Sequence, residues 1–265
     1  MSIYEYRPLL IYSVAVAAAF GAVMGSFLNC AAYRIARGES FLKGRSRCPA
    51  CGHTLGAREL VPVFSWILQG GRCRACGDRI SVRYPLTELG FALLTAACLL
   101  RFDLTVLCLR NYIFLCCLFC LSLVDLEILL IPDEFHILAA AAWALSIPFV
   151  SMEMSEVIVH VITAVLTGAF MLLVSGILDR VLGRESLGGG DVKLLSVTGL
   201  YLGPVGTLFT LIISCALGLA VHGFREKSGG EGKEFPFGPS ISAAAALMLL
   251  FGEPLIRWYT GLLGL

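Results

Sequence analysis

"LLIYSVAVAAAFGAVMGSFLNCAAY", Leu9 to Tyr33, contains no Asp, Glu, Lys or Arg. A helix that crosses a bilayer takes roughly 20 mainly apolar residues, so this stretch is long enough to span. It is also too long for the apolar region of a cleavable signal, and the one base before it, Arg7, is offset by Glu5. The stretch is therefore expected to remain as a first span. The rest of the chain is of the same kind. Its 265 residues are 58% hydrophobic and only 15% charged, with mean hydropathy +0.85. Soluble domains lie nearer half apolar and a quarter charged. The expected fold class is an all-α polytopic membrane protein of six to eight transmembrane helices.

The apolar stretches fall at about 9–33, 86–101, 107–131, 135–150, 157–179, 191–202, 205–224 and 240–260. Pro132, Pro204 and Pro239 punctuate the junctions. A polar, Gly-rich loop, "REKSGGEGKEFPFGPS" (Arg225 to Ser240), precedes the last stretch. The first is followed by a different composition. Arg34 to Arg83 holds ten of the twenty Lys+Arg against three acids (Glu39, Glu59, Asp78), for a net +7, which leaves the remainder at −6. This is a polar module inserted after the first span.

Placing that module in the cytoplasm orients the chain by the excess of Lys and Arg on that side. Sixteen of the twenty bases then face the cytoplasm: the ten in Arg34 to Arg83, with Arg180, Arg184, Lys193, Arg225, Lys227 and Lys233. Arg7, Arg101, Arg110 and Arg257 face the other side. The bias supports eight crossings. It also brings the end of the third stretch, near Asp125, and the start of the sixth, at Asp191, to the same face of the membrane.

Within the module, "CPAC" (Cys48, Cys51) and "CRAC" (Cys73, Cys76) read as CxxC–x21–CxxC. Each pair forms a tight knuckle that aims two thiolates at one ion, and four thiolates make a closed, structural zinc site. Gly52 and Gly77 after the pairs suit the turn. Two disulfides would be the other reading; a reducing cytoplasm argues against them. Cys30, Cys98, Cys108, Cys116, Cys117, Cys120 and Cys215 sit in apolar stretches and read as small core hydrophobes.

Ionisable side chains inside a membrane are costly and mark functional sites. "SLVDLEILLIPDEF" (Ser122 to Phe135) offers Asp125, Glu127, Asp133 and Glu134. The last two follow Pro132 and also fit a solvated turn or helix N-terminus; Asp125 is deeper. "SLGGGDVKLL" (Ser186 to Leu195) puts Asp191 where a glycine run opens a helix, and there an N-cap is the plainer alternative. The glycines would let backbone or substrate approach closely. Two carboxyls held at one depth cannot both ionise easily, so one keeps its proton. Such a pair can hydrolyse a peptide without metal or covalent intermediate.

Together these motifs carry a resemblance. "GSFLNCAAYR" (Gly25 to Arg34), the two CxxC pairs around "ELVPVFSW" (Glu59 to Trp66), "RYPLTEL" (Arg83 to Leu89), Asp125 followed by Pro132–Asp133, "GGGD" (Gly188 to Asp191) and "FPFGPSISA" (Phe235 to Ala243) resemble the bacterial type IV prepilin leader peptidases, a GxGD-type group of intramembrane aspartyl proteases. The resemblance implies a bifunctional inner-membrane enzyme that cleaves the basic leader of type IV prepilins and type II secretion pseudopilins on the cytoplasmic side. It also implies N-methylation of the new N-terminal residue with S-adenosylmethionine. The family's catalytic aspartates fall on Asp125 and Asp191, and its zinc ligands on Cys48, Cys51, Cys73 and Cys76. On this reading, residues 1–33 are the first span, 34–84 a cytoplasmic four-cysteine zinc module and 85–265 the transmembrane protease core. The expected partners are prepilins, pseudopilins and membrane lipids, and not nucleic acid.

No strand–GxGxxG–helix pattern marks a methyl-donor site. Glu88, Lys193, Gly238 and Pro239 could line one, or equally serve helix pairing, dipole balance and turns. An ion-coupled transporter is the runner-up, since interrupted helices and paired acids suit a carrier, but the acids lie at the membrane edge. A thiol oxidoreductase is the third reading, opposed by a reducing compartment and redox-silent zinc thiolates. The basic residues of the module, with Arg72, Arg74 and Arg79 around the second CxxC pair, are expected to hold the anionic leaflet at roughly 1 kcal/mol each.

Overall fold

The computed structural model describes residues 3–41, 44–183, 187–227 and 236–263. Lys43, Arg184, Lys233 and most of the polar loop before the last helix lie outside them. Regular structure among the described residues is helical: α1 (Arg7–Ile35), α2 (Phe64–Leu68), α3 (Arg83–Phe102), α4 (Val106–Ile128), α5 (Asp133–Ser146), α6 (Met154–Leu182), α7 (Gly189–Lys227) and α8 (Gly238–Leu263), with three short 3-10 turns. Six of them, α1, α3, α4, α6, α7 and α8, are long and apolar enough to cross a membrane. The chain is an all-α, multi-pass membrane protein. It divides into two compact units, Met1–Cys108 and Leu109–Leu265.

In the first unit α1 packs along α3. Glycine sets how closely. A Cβ at Gly21 would stand 2.5 Å from Thr95 Oγ1 and 2.9 Å from Ala92 Cα, and one at Gly25 would stand 3.1 Å from Glu88 Cα. Membrane helices gain little from apolar surface as such and associate through close backbone approach at small residues, so these two glycines, four apart on one face, form the seam. The chain leaves α1 under control of Arg34, whose guanidinium donates to Ser40 O at 3.4 Å and Arg45 O at 3.0 Å.

In the second unit, Phe114, Leu115, Leu118, Leu121 and Val124 of α4 are fully buried, as are Leu194 and Leu195 of α7 and Ile241, Ala244 and Ala245 of α8. The seam between α6 and α7 again runs over glycine: a Cβ at Gly199 would stand 2.9 Å from Ala164 Cα, and one at Gly168 2.5 Å from Ser196 Oγ. α7 is interrupted at Gly203 (φ 62°, ψ −171°), followed by Pro204. Here the left-handed φ requires glycine. The two ends of α7 return to one level, because Gly190 and Gly238 both meet Ile131 while Leu217 and Val221 share a hollow with Pro236 and Pro239. At the other end Phe209 packs edge-on against Tyr259 of α8. The stretches read at 191–202 and 205–224 are therefore two antiparallel limbs of one interrupted helix. α5 holds 14 residues, about 21 Å, short of a hydrocarbon core of about 30 Å.

Two local readings need correction. α7 begins at Gly189, so Asp191 is its third residue and not its N-cap. Cys215 is exposed on α7 rather than packed in a core, whereas Cys98, Cys117 and Cys120 are buried.

Candidate functional site

Asp125 lies in the last turn of α4 and is 5% exposed; Asp191 lies in the first turn of α7 and is 9% exposed. The N–H of Gly238, the first residue of α8, donates to Asp125 Oδ2 at 3.0 Å. Only glycine fits there, since a Cβ at Gly238 would be 2.7 Å from that oxygen. Asp191 Oδ1 is buried with no hydrogen-bond partner. Gly188 borders the other oxygen: a Cβ there would lie 3.5 Å from Asp191 Oδ2.

Ile131, in the link between α4 and α5, joins the two halves. A Cβ at Gly190 would stand 2.7 Å from Ile131 Cβ, and one at Gly238 3.2 Å from Ile131 Cδ1. One side chain thus rests on the neighbour of Asp191 and on the hydrogen-bond donor of Asp125. The link is tied down beyond Ile131. Lys193 Nζ donates to both oxygens of Asp133, at 2.7 and 2.8 Å. That ammonium holds the Asp133 carboxyl below its ordinary range. Asp133 is the first residue of α5, where a negative charge suits the helix dipole. Glu127 and Glu134 are exposed.

Beside Asp125 and Gly238 is an apolar hollow of about 210 Å³, lined by Leu126, Leu217, Val221, Pro236, Pro239, Ser240 and Ala243. Its lining includes Leu126 and Pro239, the chain neighbours of Asp125 and Gly238, and it can take an apolar side chain. Three features had no counterpart in the sequence reading: Ile131 as a spacer, the Lys193–Asp133 pair, and His136. The His136 ring is buried, neither nitrogen has a hydrogen bond, and Nδ1 is 3.9 Å from Asp133. The "PDEFH" run held the signal for the last alone, because Asp133 and His136, at i and i+3 on a helix, share a face.

The cysteine module of the first unit is built from two copies of one knuckle. Cys48 N–H donates to His53 O at 2.8 Å and Gly52 N–H to Cys48 O at 2.9 Å; Cys73 N–H donates to Asp78 O and Gly77 N–H to Cys73 O at the same two distances. Each copy is closed by one antiparallel bridge, Arg47 with Thr54 and Arg72 with Arg79. Gly52 (φ 72°) and Gly77 (φ 75°) take the left-handed turn. The four Sγ atoms lie within 4.8 Å of one another, with Cys48 and Cys76 4.0 Å apart. A tetrahedral ion with Zn–S bonds of ~2.3 Å separates its sulfurs by ~3.8 Å, so the cluster can hold zinc. The backbone N–H groups of Cys76 and Ala75 pull the Cys73 thiol down to about 7, toward the thiolate a metal needs.

The residues weighed for a methyl donor are otherwise engaged. Glu88 accepts from Val63 N–H at 2.7 Å, Lys193 is on Asp133, Gly238 is on Asp125, and Pro239 lines the apolar hollow.

Fold and site together define a multi-pass helical membrane protein with a buried carboxyl pair and a four-thiolate module. The chain belongs to the type IV leader peptidase family, whose model matches residues 112–223; residues 19–102 match the bacterial peptidase A24 N-terminal domain. It is a peptidase by that membership. It is 31% identical to the prepilin leader peptidase/N-methyltransferase of Bacillus subtilis (strain 168), over 91% of this chain and 95% of the relative. It is 31% identical to the protein of that name from Pseudomonas putida over 96% of both, and 32% identical to that of Aeromonas hydrophila over 81% of this chain and 74% of the relative. No solved structure matches.

Proposed function

We propose that the protein cleaves the leader from type IV prepilins and type II secretion pseudopilins at the cytoplasmic face of the bacterial inner membrane, with Asp125 and Asp191 as the catalytic pair. One observation carries this reading: two buried carboxyls, brought to either side of Ile131, one with an unpaired oxygen. The ionised carboxylate takes a proton from water as the water oxygen bonds to the scissile carbonyl carbon. The protonated carboxyl donates to the carbonyl oxygen. The C–N bond then breaks, and the leaving amine takes a proton from the pair. Gly238 N–H holds Asp125 Oδ2 in place. Positions at the ends of α4 and α7 suit a substrate cut at the membrane edge better than an ion carried across its middle.

The relatives' shared name supports a second activity, N-methylation of the new N-terminus, with S-adenosylmethionine as the donor. No step of it is derived from these residues. Cys48, Cys51, Cys73 and Cys76 would hold a structural zinc ion, since four thiolates leave no open position.

The test is incubation of the purified protein with a prepilin and S-adenosylmethionine in detergent, followed by mass spectrometry of the pilin N-terminus. A product shortened by its leader and one methyl group heavier is the expected result. Intact prepilin would refute the peptidase reading, and a shortened, unmethylated product would refute the second activity.

A further inference from the structure

The cysteine module carries an apolar face that nothing in the first unit covers. Phe64, Ile67 and Leu68 of α2 are 68%, 59% and 79% exposed. At spacings i, i+3 and i+4 they share one side of the turn. The opposite side is anchored: Trp66 Nε1 donates to Ile80 O at 3.0 Å, and the ring packs on Gly71. The outward face is therefore held outward by the second knuckle.

The level of this face is set by one hydrogen bond. Val63, just before α2, has φ +62°, a conformation that a β-branched residue adopts only under constraint. Its N–H is held by the buried carboxylate of Glu88 at 2.7 Å. Glu88 lies five residues into α3, roughly 8 Å along a helix that spans the membrane. The start of α2 is thus tied to the first turns of that span, since the Glu88 side chain leans toward the helix N-terminus. Leu86 and Leu89 of α3 are themselves exposed at this level. Arg72, Arg74 and Arg79 are exposed in the adjoining knuckle.

We infer that α2 is a membrane-inserted wedge: Phe64, Ile67 and Leu68 lie in the headgroup–acyl boundary of the bilayer, and the neighbouring arginines meet anionic lipid phosphates. An apolar face with a basic rim is the pattern of an interfacial helix. Here the insertion depth comes from Glu88 rather than from helix length. Glu88 binds the turn that aims α2 and is a positioning residue for lipid contact.

The test uses the full chain in phosphatidylglycerol/phosphatidylcholine vesicles. Phe64→Trp adds one indole to the three native tryptophans, and the difference in emission reports its surroundings. Zinc content shows that the module is intact. The expected result is blue-shifted emission, quenched by lipids brominated near the headgroup end of the chain. Water-like, unquenched emission overturns the inference. So does an indole that bromolipid leaves unquenched but that shifts when a prepilin is added, which would make this face a docking site for the pilin. Arg72→Glu with Arg74→Glu is expected to reduce quenching and cleavage in anionic vesicles and to leave both near wild type in neutral vesicles or detergent. Equal loss in all media would overturn the lipid role of the arginines.

Discussion

The backbone N–H of Gly238 donates to Asp125 Oδ2 at 3.0 Å, across 113 residues of sequence. It joins the end of α4 to the start of α8 and orients a carboxyl that has few other partners. Gly238→Ala would drive a methyl group to 2.7 Å from that oxygen and 3.2 Å from Ile131 Cδ1. Misplacing a catalytic group by about 1 Å can cost on the order of 100-fold, and cleavage is expected to fall by about that factor. Gly176→Ala, where an added Cβ meets nothing within 4 Å, is the control and should keep wild-type activity. Initial rates on one prepilin compare the two.

Asp125→Asn and Asp191→Asn should each remove cleavage by roughly 10²–10⁴-fold, the contribution of a positioned acid or base. Neither should stop insertion. On the proposed mechanism hydrolysis needs the carboxyl pair, and methyl transfer is expected not to. The Asp191→Asn protein is expected to methylate a pilin supplied already cleaved; loss of both activities in folded protein would mean one shared site.

The Lys193–Asp133 pair is more than half exposed at both ends, so it should matter more for the site than for stability. Lys193→Met or Asp133→Asn should lower kcat severalfold with KM little changed, as Ile131 loses its hold. Exchanging the two charges should restore part of the rate. Because Lys193 keeps the Asp133 carboxyl below its ordinary range, the pair's contribution is complete above the usual carboxylate pKa of about 3.9 and is lost as pH falls further. A kcat profile from pH 7 to pH 4 should therefore show no difference between Asp133→Asn and wild type beyond a constant factor.

Cys48→Ser or Cys73→Ser should release zinc. The two knuckles each close on a single isolated bridge, and a small polar insert has little apolar surface to order it. Metal analysis with limited proteolysis is the check: loss of zinc should come with new cleavage between residues 44 and 82. An unchanged digest after complete metal loss would show that the ion does not order the module.

Much of this protein is determined by its sequence alone. Uncharged stretches of spanning length dictate membrane helices, because the composition required by hydrocarbon is severe and local. The spacing CxxC–x21–CxxC dictates two knuckles, since the turn after each pair closes within five residues and needs only its own glycine. The asymmetry of Lys and Arg leads to the expectation that Asp125 and Asp191 share one face of the membrane. Tertiary structure decided the rest. Which atoms surround the carboxyls depends on Gly238 and Ile131, residues with no chemistry of their own that matter because three helix ends converge on them. Lys193 meets Asp133, 60 residues away, only because α7 packs beside α5. The wedge at Phe64 exists because Glu88, on another helix, holds the backbone of Val63. A sequence reports what each residue can do; a contact between residues distant in the chain depends on where the packed backbones leave room, and here glycine seams between helices set that room.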